Sequence, residues 1–267
     1  MKIISLNTYG GKIFDPLVAF IKANASDTDI FCFQEVLRTS KGSFISNGAK
    51  ANLFDEFKKR LEKSQSFFAI AQEHFDQTTI VREEVDTGVA TFVNQKITVN
   101  KTGEFFVCNS LNSFILNDFE SFPANLHWVQ FLLNGKQLTV CNVHGVSEPG
   151  NKLDSPERLA QSQKILDFIN EQSGEKIIVG DFNLLPDTES IAMFERAGFL
   201  NLIKEFSIKT TRGSLHKKLY PHYCTGSNGW QEFADYAFVS AGIKAKSLTV
   251  PDVSISDHLP LILEFEV

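Results

Sequence analysis

The chain has 267 residues, of which 43% are hydrophobic and 22% charged, and its formal net charge is −6. That composition excludes a disordered or fibrous protein, and the acidic balance argues against binding nucleic acid through a large basic face. No apolar run approaches the roughly 18 residues a membrane helix needs, so no integral membrane association is expected.

From the first residues onward, short β-rich runs alternate with helical patterns. Lys2–Leu6 reads as a strand rather than a signal peptide, Pro16–Ala23 as an apolar helix and Asp29–Phe33 as the second strand. Ala51–Lys63 is an amphipathic helix, with Leu53, Phe54, Phe57 and Leu61 at helical spacing. Strands at Phe67–Ala71, Gly88–Val93, Glu104–Val107, His127–Leu133 and Gln137–Val143 follow with short polar breaks and read as an antiparallel run, with a hairpin turn at Asn134-Gly135. Ser155 and Pro156 supply an N-cap and first-turn proline for a helix to about Asn170 that buries Leu159, Leu166 and Ile169. A buried strand at Lys176–Val179 precedes a helix from Pro186-Asp187 to Gly198, and strands at Ala234–Val239, Ile243–Thr249 and Leu261–Phe265 close the chain.

No repeat, low-complexity tract or linker interrupts this pattern, which predicts one α+β domain over residues 1–267, built of two packed sheets with helices outside. The 25 phenylalanines suit a layered core. Cys32, Cys108, Cys141 and Cys224 are dispersed without a C-x-x-C pair, which points to a reduced, cytoplasmic setting.

Several strands end in residues that bind metals or handle phosphate. Asn7 follows the first strand, Glu35 the second in IFCFQE, His144 a later one in TVCNVHG, and Asp181 with Asn183 another in IIVGDFN. Asp235 begins ADYAFVS, and Asp257 and His258 lie in ISDHLP before the last strand. A single Asn or Asp at a strand end is commonly a turn residue. A carboxylate directly after a buried strand, as at Glu35, is costly unless paired or bound to a cation. GDFN places an acid and an amide two residues apart, and SDH sets an acid beside an imidazole, an arrangement that orients and charges a histidine.

Taken in order, SLNTYG, FCFQEV, CNVHG, GDFN, FADYAFVS and SDHLP resemble the motifs of the endonuclease/exonuclease/phosphatase superfamily across the whole chain. The resemblance implies a four-layer αββα sandwich and hydrolysis of a phosphate ester with a divalent cation, magnesium or manganese. It implies Glu35 as the metal ligand, with Asn7 near it and Asp257 as a further ligand. His258, polarised by Asp257, would contact the phosphate or act as general acid/base, and Asp181 would orient and deprotonate the attacking water. Asn183 and His144 would stabilise transition-state charge, and Asp235 would help position His144 or act on the leaving-group side. A histidine at position 144, where abasic-site endonucleases usually carry a tyrosine, speaks against abasic-site specificity.

The segment from Ile208 to Trp230 interleaves cations with aromatics and is the candidate recognition element, with Arg212 and Tyr223 its foremost members; a solvated loop with anchoring aromatics is the alternative. Arg158, with Gln161 one helical turn away, is a further candidate to face the cleft, with surface solvation the alternative for both. The favoured expectation is a phosphodiesterase with a DNA or RNA backbone as substrate. A phosphomonoesterase or a lipid or small-molecule phosphodiesterase on the same site is the first rival, and an inactive binding module the second.

Overall fold

The structure is a computed structural model and describes residues 1–221 and 231–267. Its strands are β1 (Lys2–Asn7), β2 (Ile30–Arg38), β3 (Ile45–Ser46), β4 (Ala49–Lys50), β5 (Ser64–Gln72), β6 (Asp86–Asn94), β7 (Val99–Cys108), β8 (Ala124–Leu133), β9 (Lys136–His144), β10 (Glu175–Asp181), β11 (Leu200–Asn201), β12 (Asp235–Val239), β13 (Lys244–Thr249) and β14 (Leu261–Glu266). The helices are α1 (Phe14–Asn24), α2 (Leu53–Arg60), α3 (Pro156–Glu171), α4 (Glu189–Arg196) and the short α5 (Leu202–Glu205) and α6 (Ser214–Leu219).

Two six-stranded sheets face each other, in the orders β13-β14-β1-β2-β6-β5 and β11-β12-β10-β9-β8-β7. Alternation along the strands divides the apolar residues between two layers. On β1 and β2, Ile3, Ile30 and Cys32 join the core that runs through the second sheet, with Leu126, Val140 and Ile177. Their neighbours Ile4, Phe31 and Phe33 face the other way, against Leu17 and Ile21 of α1 and Leu53 and Phe57 of α2. Rings fill this outer layer: Phe33 lies 4.7 Å from Phe57 and 6.0 Å from Phe92. Behind the second sheet, Phe194 of α4 stacks on Phe238 at 4.7 Å. The result is the four-layer αββα arrangement.

The antiparallel run expected from Phe67 to Val143 is divided. β5–β6 and β7–β8–β9 pair antiparallel, but the chain crosses to the second sheet after β6. Each sheet also holds one parallel pair, β1 with β2 and β9 with β10. The β8–β9 turn falls at Asn134-Gly135, both at positive φ (52° and 78°), as a tight two-residue hairpin requires.

Helix α3 starts at Pro156 with the Ser155 hydroxyl accepting from the Arg158 N–H. Its core residues are Ile165, Leu166 and Ile169, while Leu159 is half-buried. Helix α4 begins at Glu189, three residues later than expected, because its cap comes from elsewhere: the Asp154 carboxylate accepts from the N–H groups of Glu189 (2.7 Å) and Ser190 (2.9 Å).

Buried amides join the two sheets. Gln34 of β2 donates to Asn142 Oδ1 of β9 at 2.7 Å, and Asn142 Nδ2 donates back to the carbonyls of Phe33 (3.2 Å) and Ala90 (3.1 Å). Among the described residues no helix is long and apolar enough to cross a membrane.

Candidate active site

The polar residues singled out in the sequence come from both sheets and meet where β1, β9 and β10 end and β12 begins, beside an irregularity within β2. Glu35 does not follow its strand but lies within it. β2 continues to Arg38, and its register with β6 shifts between Phe33 and Val36. Glu35 takes φ 53°, and this bulge re-aims its side chain out of the alternation. Gly180 does comparable work on β10: at φ 141° its Cα lies so near Val143 that a Cβ would fall 2.1 Å from the Val143 carbonyl oxygen. Only glycine lets β9 and β10 approach so closely just before Asp181.

Asn7 joins the two sheets' acids. Its Nδ2 donates to Glu35 Oε1 and to Asp181 Oδ2, each at 2.9 Å, while its Oδ1 accepts from the Tyr9 N–H. In this arrangement the Asn7 oxygen, expected beside a metal, is engaged by the backbone. His144 Nε2 lies 3.8 Å from Glu35 Oε1. Ligand atoms of Glu35, His144 and Asp181 all lie within 4.8 Å of one another. Two carboxylates and an imidazole at that spacing, with oxygen donors in the majority, suit a hard divalent cation, so the donor set fits the metal the sequence implies.

The histidine partner differs from the one expected. His258 Nδ1 pairs with Asp235, at 2.8 Å and 3.0 Å to its two oxygens, and both residues are buried. Asp257 is 4.0 Å from His258 Nε2 and instead holds Arg212 at 3.2 Å. Adjacency in SDH suggested Asp257, but successive residues diverge in direction, and the orienting acid comes from β12. Asp257 also stands outside the two groups of residues spaced to hold a metal, Glu35 with His144 and Asp181, and Asp181 with Asp235 and His258. His258 Nε2 faces Asp181 Oδ2 at 3.6 Å.

Burial and the Arg212 charge work to lower the His258 pKa, but Asp235, Asp257 and Asp181 together prevail and hold it at about 9. Burial works to raise Asp181, and His258, His144, Arg212 and Lys152 outweigh it, leaving the carboxyl at about 2. At neutral pH the site therefore holds an imidazolium against an ionised carboxylate.

Asn183 is fixed on both sides. Its Nδ2 donates to Gly145 O at 3.1 Å, its Oδ1 accepts from Lys152 Nζ at 2.5 Å, and its N–H bonds Asp181 Oδ1 at 2.9 Å. Of the expected substrate-binding residues, Arg212 lines the cavity, though it is 5% exposed and ion-paired. Arg158 does not face the cleft. It is fully buried and donates to the carbonyls of Val146, Ser147, Pro149 and Leu153 and to Asn151 Oδ1. Gln161 beside it is also buried, accepting from the Val146 N–H. Helical spacing put both on one face, but that face turns inward beneath the 145–155 loop. Tyr223 lies outside the described residues.

Among the described residues, Gln77 and Lys152 join the site without a signal in the sequence. Gln77 donates to Glu35 Oε2 at 3.0 Å. Lys152 enters from the loop after His144, and burial with repulsion from Arg212 lowers its ammonium to about 8 against the pull of Asp181. A lone glutamine between Asp76 and Thr78, or a lysine in a polar loop, looks like any turn residue. The cavity they share encloses about 330 Å³, small enough for a small organic molecule.

A two-sheet sandwich that gathers acids, amides and a charged histidine at one end of its strands is built as a phosphoester hydrolase. A model of the Endonuclease/Exonuclease/phosphatase family matches residues 4–258, and the chain belongs to that family. The fold is similar to that of family proteins from Bacteroides vulgatus (TM-score 0.70, 16% identity, 100% of this chain and 98% of that one) and Leptotrichia buccalis (TM-score 0.71, 15% identity, 100% of both chains). It is also similar to a Bacteroides thetaiotaomicron protein described as a mannosyl-6-phosphatase (TM-score 0.67, 14% identity, 100% of both chains). Comparison with curated proteins finds no match.

Proposed function

We propose that the chain hydrolyses a small phosphate ester with the aid of a divalent cation, magnesium or manganese, water attacking phosphorus in line with the departing alcohol. The carrying observation is the meeting of Glu35 from one sheet with Asp181, His144 and His258 around a single cavity. Glu35 and Asp181 would hold the cation, with His144 beside them. Bound there, it would supply charge neutralisation at the phosphate and acidify a coordinated water.

The protein's own groups do the rest. Asp181, ionised through the neutral range, accepts a hydrogen bond from the attacking water and orients it; a carboxyl held so low is a weak base, which favours orientation over proton removal. The His258 imidazolium, aligned by Asp235, donates from Nε2 to a phosphoryl oxygen or the leaving group. Asn183, its amide locked by Gly145 and Lys152, presents its remaining N–H to the phosphate.

Small esters rank above nucleic acid because, among the described residues, the two arginines that pointed to a polynucleotide are engaged inside the protein. Arg158 is spent on loop carbonyls, and Arg212 is buried against Asp257. A fold relative described as a mannosyl-6-phosphatase agrees with this choice. The test is hydrolysis of p-nitrophenyl phosphate and bis-p-nitrophenyl phosphate after chelation and after magnesium or manganese is restored, with and without DNA competitor. Metal-dependent turnover, lost at least about 100-fold in His258→Ala and Asp181→Asn and indifferent to DNA, is expected. Equal rates for the three proteins would defeat the enzymatic reading, and strong inhibition by DNA would return the polynucleotide to first place.

A further inference from the structure

Lys152 takes no part in the water attack or in the proton donation described above, yet the local fold is arranged to deliver it. The 145–155 segment is wrapped around the Arg158 guanidinium, which binds the carbonyls on either side of the lysine, at Pro149 (2.6 Å) and Leu153 (2.7 Å). Lys152 itself takes φ 59°, a region a side-chain-bearing residue enters at a cost of about 1 kcal/mol. Its carbonyl accepts from the Leu185 N–H at 2.9 Å, which pins the backbone to the loop that follows Asn183. The side chain then lines the catalytic cavity.

Its ammonium donates to Asn183 Oδ1 at 2.5 Å and to Ser147 O at 3.1 Å. Among the described residues no carboxylate oxygen lies within ion-pair distance of it, whereas Arg212 is matched by Asp257 and His258 by Asp235. An ammonium has three protons, so one remains, on a cation whose charge is not consumed by a direct partner. The nearest catalytic neighbour is the amide that faces the phosphate.

A terminal phosphate has three non-bridging oxygens and, with a second pKa near 6, carries close to two negative charges at neutral pH. A diester has two such oxygens and one charge. An extra cationic donor at Asn183 therefore has an oxygen and a charge to meet in a monoester that a diester does not offer.

We propose that Lys152 is a phosphate-binding catalytic residue and that, with Asn183, it makes this site select phosphomonoesters over phosphodiesters. The inference rests on the phosphoesterase reading above. The reaction is plain hydrolysis: the water oxygen bonds to phosphorus, the ester P–O bond breaks, and the alcohol leaves with a proton while inorganic phosphate remains. Lys152 also fixes the orientation of Asn183, since a flipped amide would turn its NH2 toward the ammonium.

The experiment compares wild type with Lys152→Met, which keeps length and removes charge, and Lys152→Arg. kcat/KM is measured with magnesium on p-nitrophenyl phosphate and on bis-p-nitrophenyl phosphate, together with competitive inhibition by inorganic phosphate. Lys152→Met should lose about 100-fold on the monoester and less than about 5-fold on the diester, with phosphate inhibition weakened about 10-fold. Lys152→Arg should recover part of the monoester preference. If Lys152→Met does not fold, Lys152→Gln makes the same comparison. Equal losses on both esters would reduce Lys152 to a positioning residue for Asn183, and unchanged rates or phosphate inhibition would remove it from the site; either result overturns the proposal alone. A wild type inert on both esters overturns the phosphoesterase reading as well.

Discussion

Asp235→Asn isolates the charge that keeps His258 protonated. The carboxylate lies 2.8 Å from Nδ1, both partners are buried, and the substitution preserves shape while removing the charge. His258 sits at about 9 against an ordinary 6.5, a difference worth about 3 kcal/mol. That value survives burial and the Arg212 charge only because Asp235, Asp257 and Asp181 oppose them, with Asp235 foremost of the three. Without it, the imidazole should fall to 6.5 or below. At pH 8 the protonated fraction would then drop from about 0.9 to about 0.03, a loss of about 30-fold before any cost of misorientation. The assay is kcat/KM for bis-p-nitrophenyl phosphate, a diester on which the Lys152 charge has little effect, from pH 5 to 10, which reports the free enzyme's acid and base. Wild-type activity should decline as pH rises through about 9, and that limb should move below pH 7 in the variant. The stability consequence has the same sign. A raised histidine stabilises the fold fully below its unfolded value and loses that contribution as pH rises from 6.5 through about 9. An alkaline limb at the same pH in both proteins would refute the assignment of Asp235 as the partner that charges His258.

Burial holds His127 down at about 4, between the Thr91 and Thr102 hydroxyls, so its contribution is whole above 6.5 and is lost as pH falls through about 4; His127→Gln should flatten the acid side of a urea-stability profile by about 3 kcal/mol, and an unaltered slope would contradict this. Arg158→Met strips the donor from four loop carbonyls and should cost about 3 kcal/mol in urea unfolding, with monoester turnover falling as Lys152 loses its support; a cost under about 0.5 kcal/mol would mean that water replaces the guanidinium. Gln34→Met breaks the amide link between the sheets, and Gln130→Met removes a bond to Thr139 at 3.0 Å within one sheet, so both should lower stability by about 1–2 kcal/mol; only the first should reduce kcat about 10-fold, and equal activities would show that the link does not set catalytic geometry.

The strands and the order of the chemical residues were legible because period-2 alternation and strand-end acids are local patterns. What pairs with what was not. The crossing after β6 leaves no mark in the sequence, since a strand passing to the second sheet has the same alternation as one that stays. In the sequence Glu35 follows its strand, because a bulge is a register event between two strands, visible only when β6 lies beside β2. The same holds for His258: Asp257, its neighbour in the chain, adds to its charge from 4.0 Å, but the hydrogen bond that orients the ring comes from Asp235 on a distant strand. Charge points Arg158 to the cleft or to solvent, and it lies in neither. A cation on a helix is expected in solvent, and the carbonyl-lined pocket that keeps it inside is formed by a loop with no regular pattern.

The motifs divide into pairs in which one residue does chemistry and a near neighbour holds the sheets. In FQE, Glu35 enters the cavity and Gln34 crosses to the second sheet; in CNVH, His144 enters the cavity and Asn142 receives Gln34. The bulge makes this possible on β2, because without it adjacent side chains would leave on opposite faces, and the acid would be buried against α2 rather than turned to the strand ends. Asn7 then spans 2.9 Å to Glu35 of its own sheet and 2.9 Å to Asp181 of the other. Acids drawn from separate sheets keep such spacing only if the sheets cannot slide. Apolar contacts between them are non-directional and would tolerate a shift of a fraction of an ångström. Hydrogen bonds from Asn142 to Gln34 and to the Phe33 and Ala90 carbonyls would not, since each broken bond leaves a buried polar group unpaired. The buried amides are therefore as much a part of the catalytic geometry as the acids they hold apart.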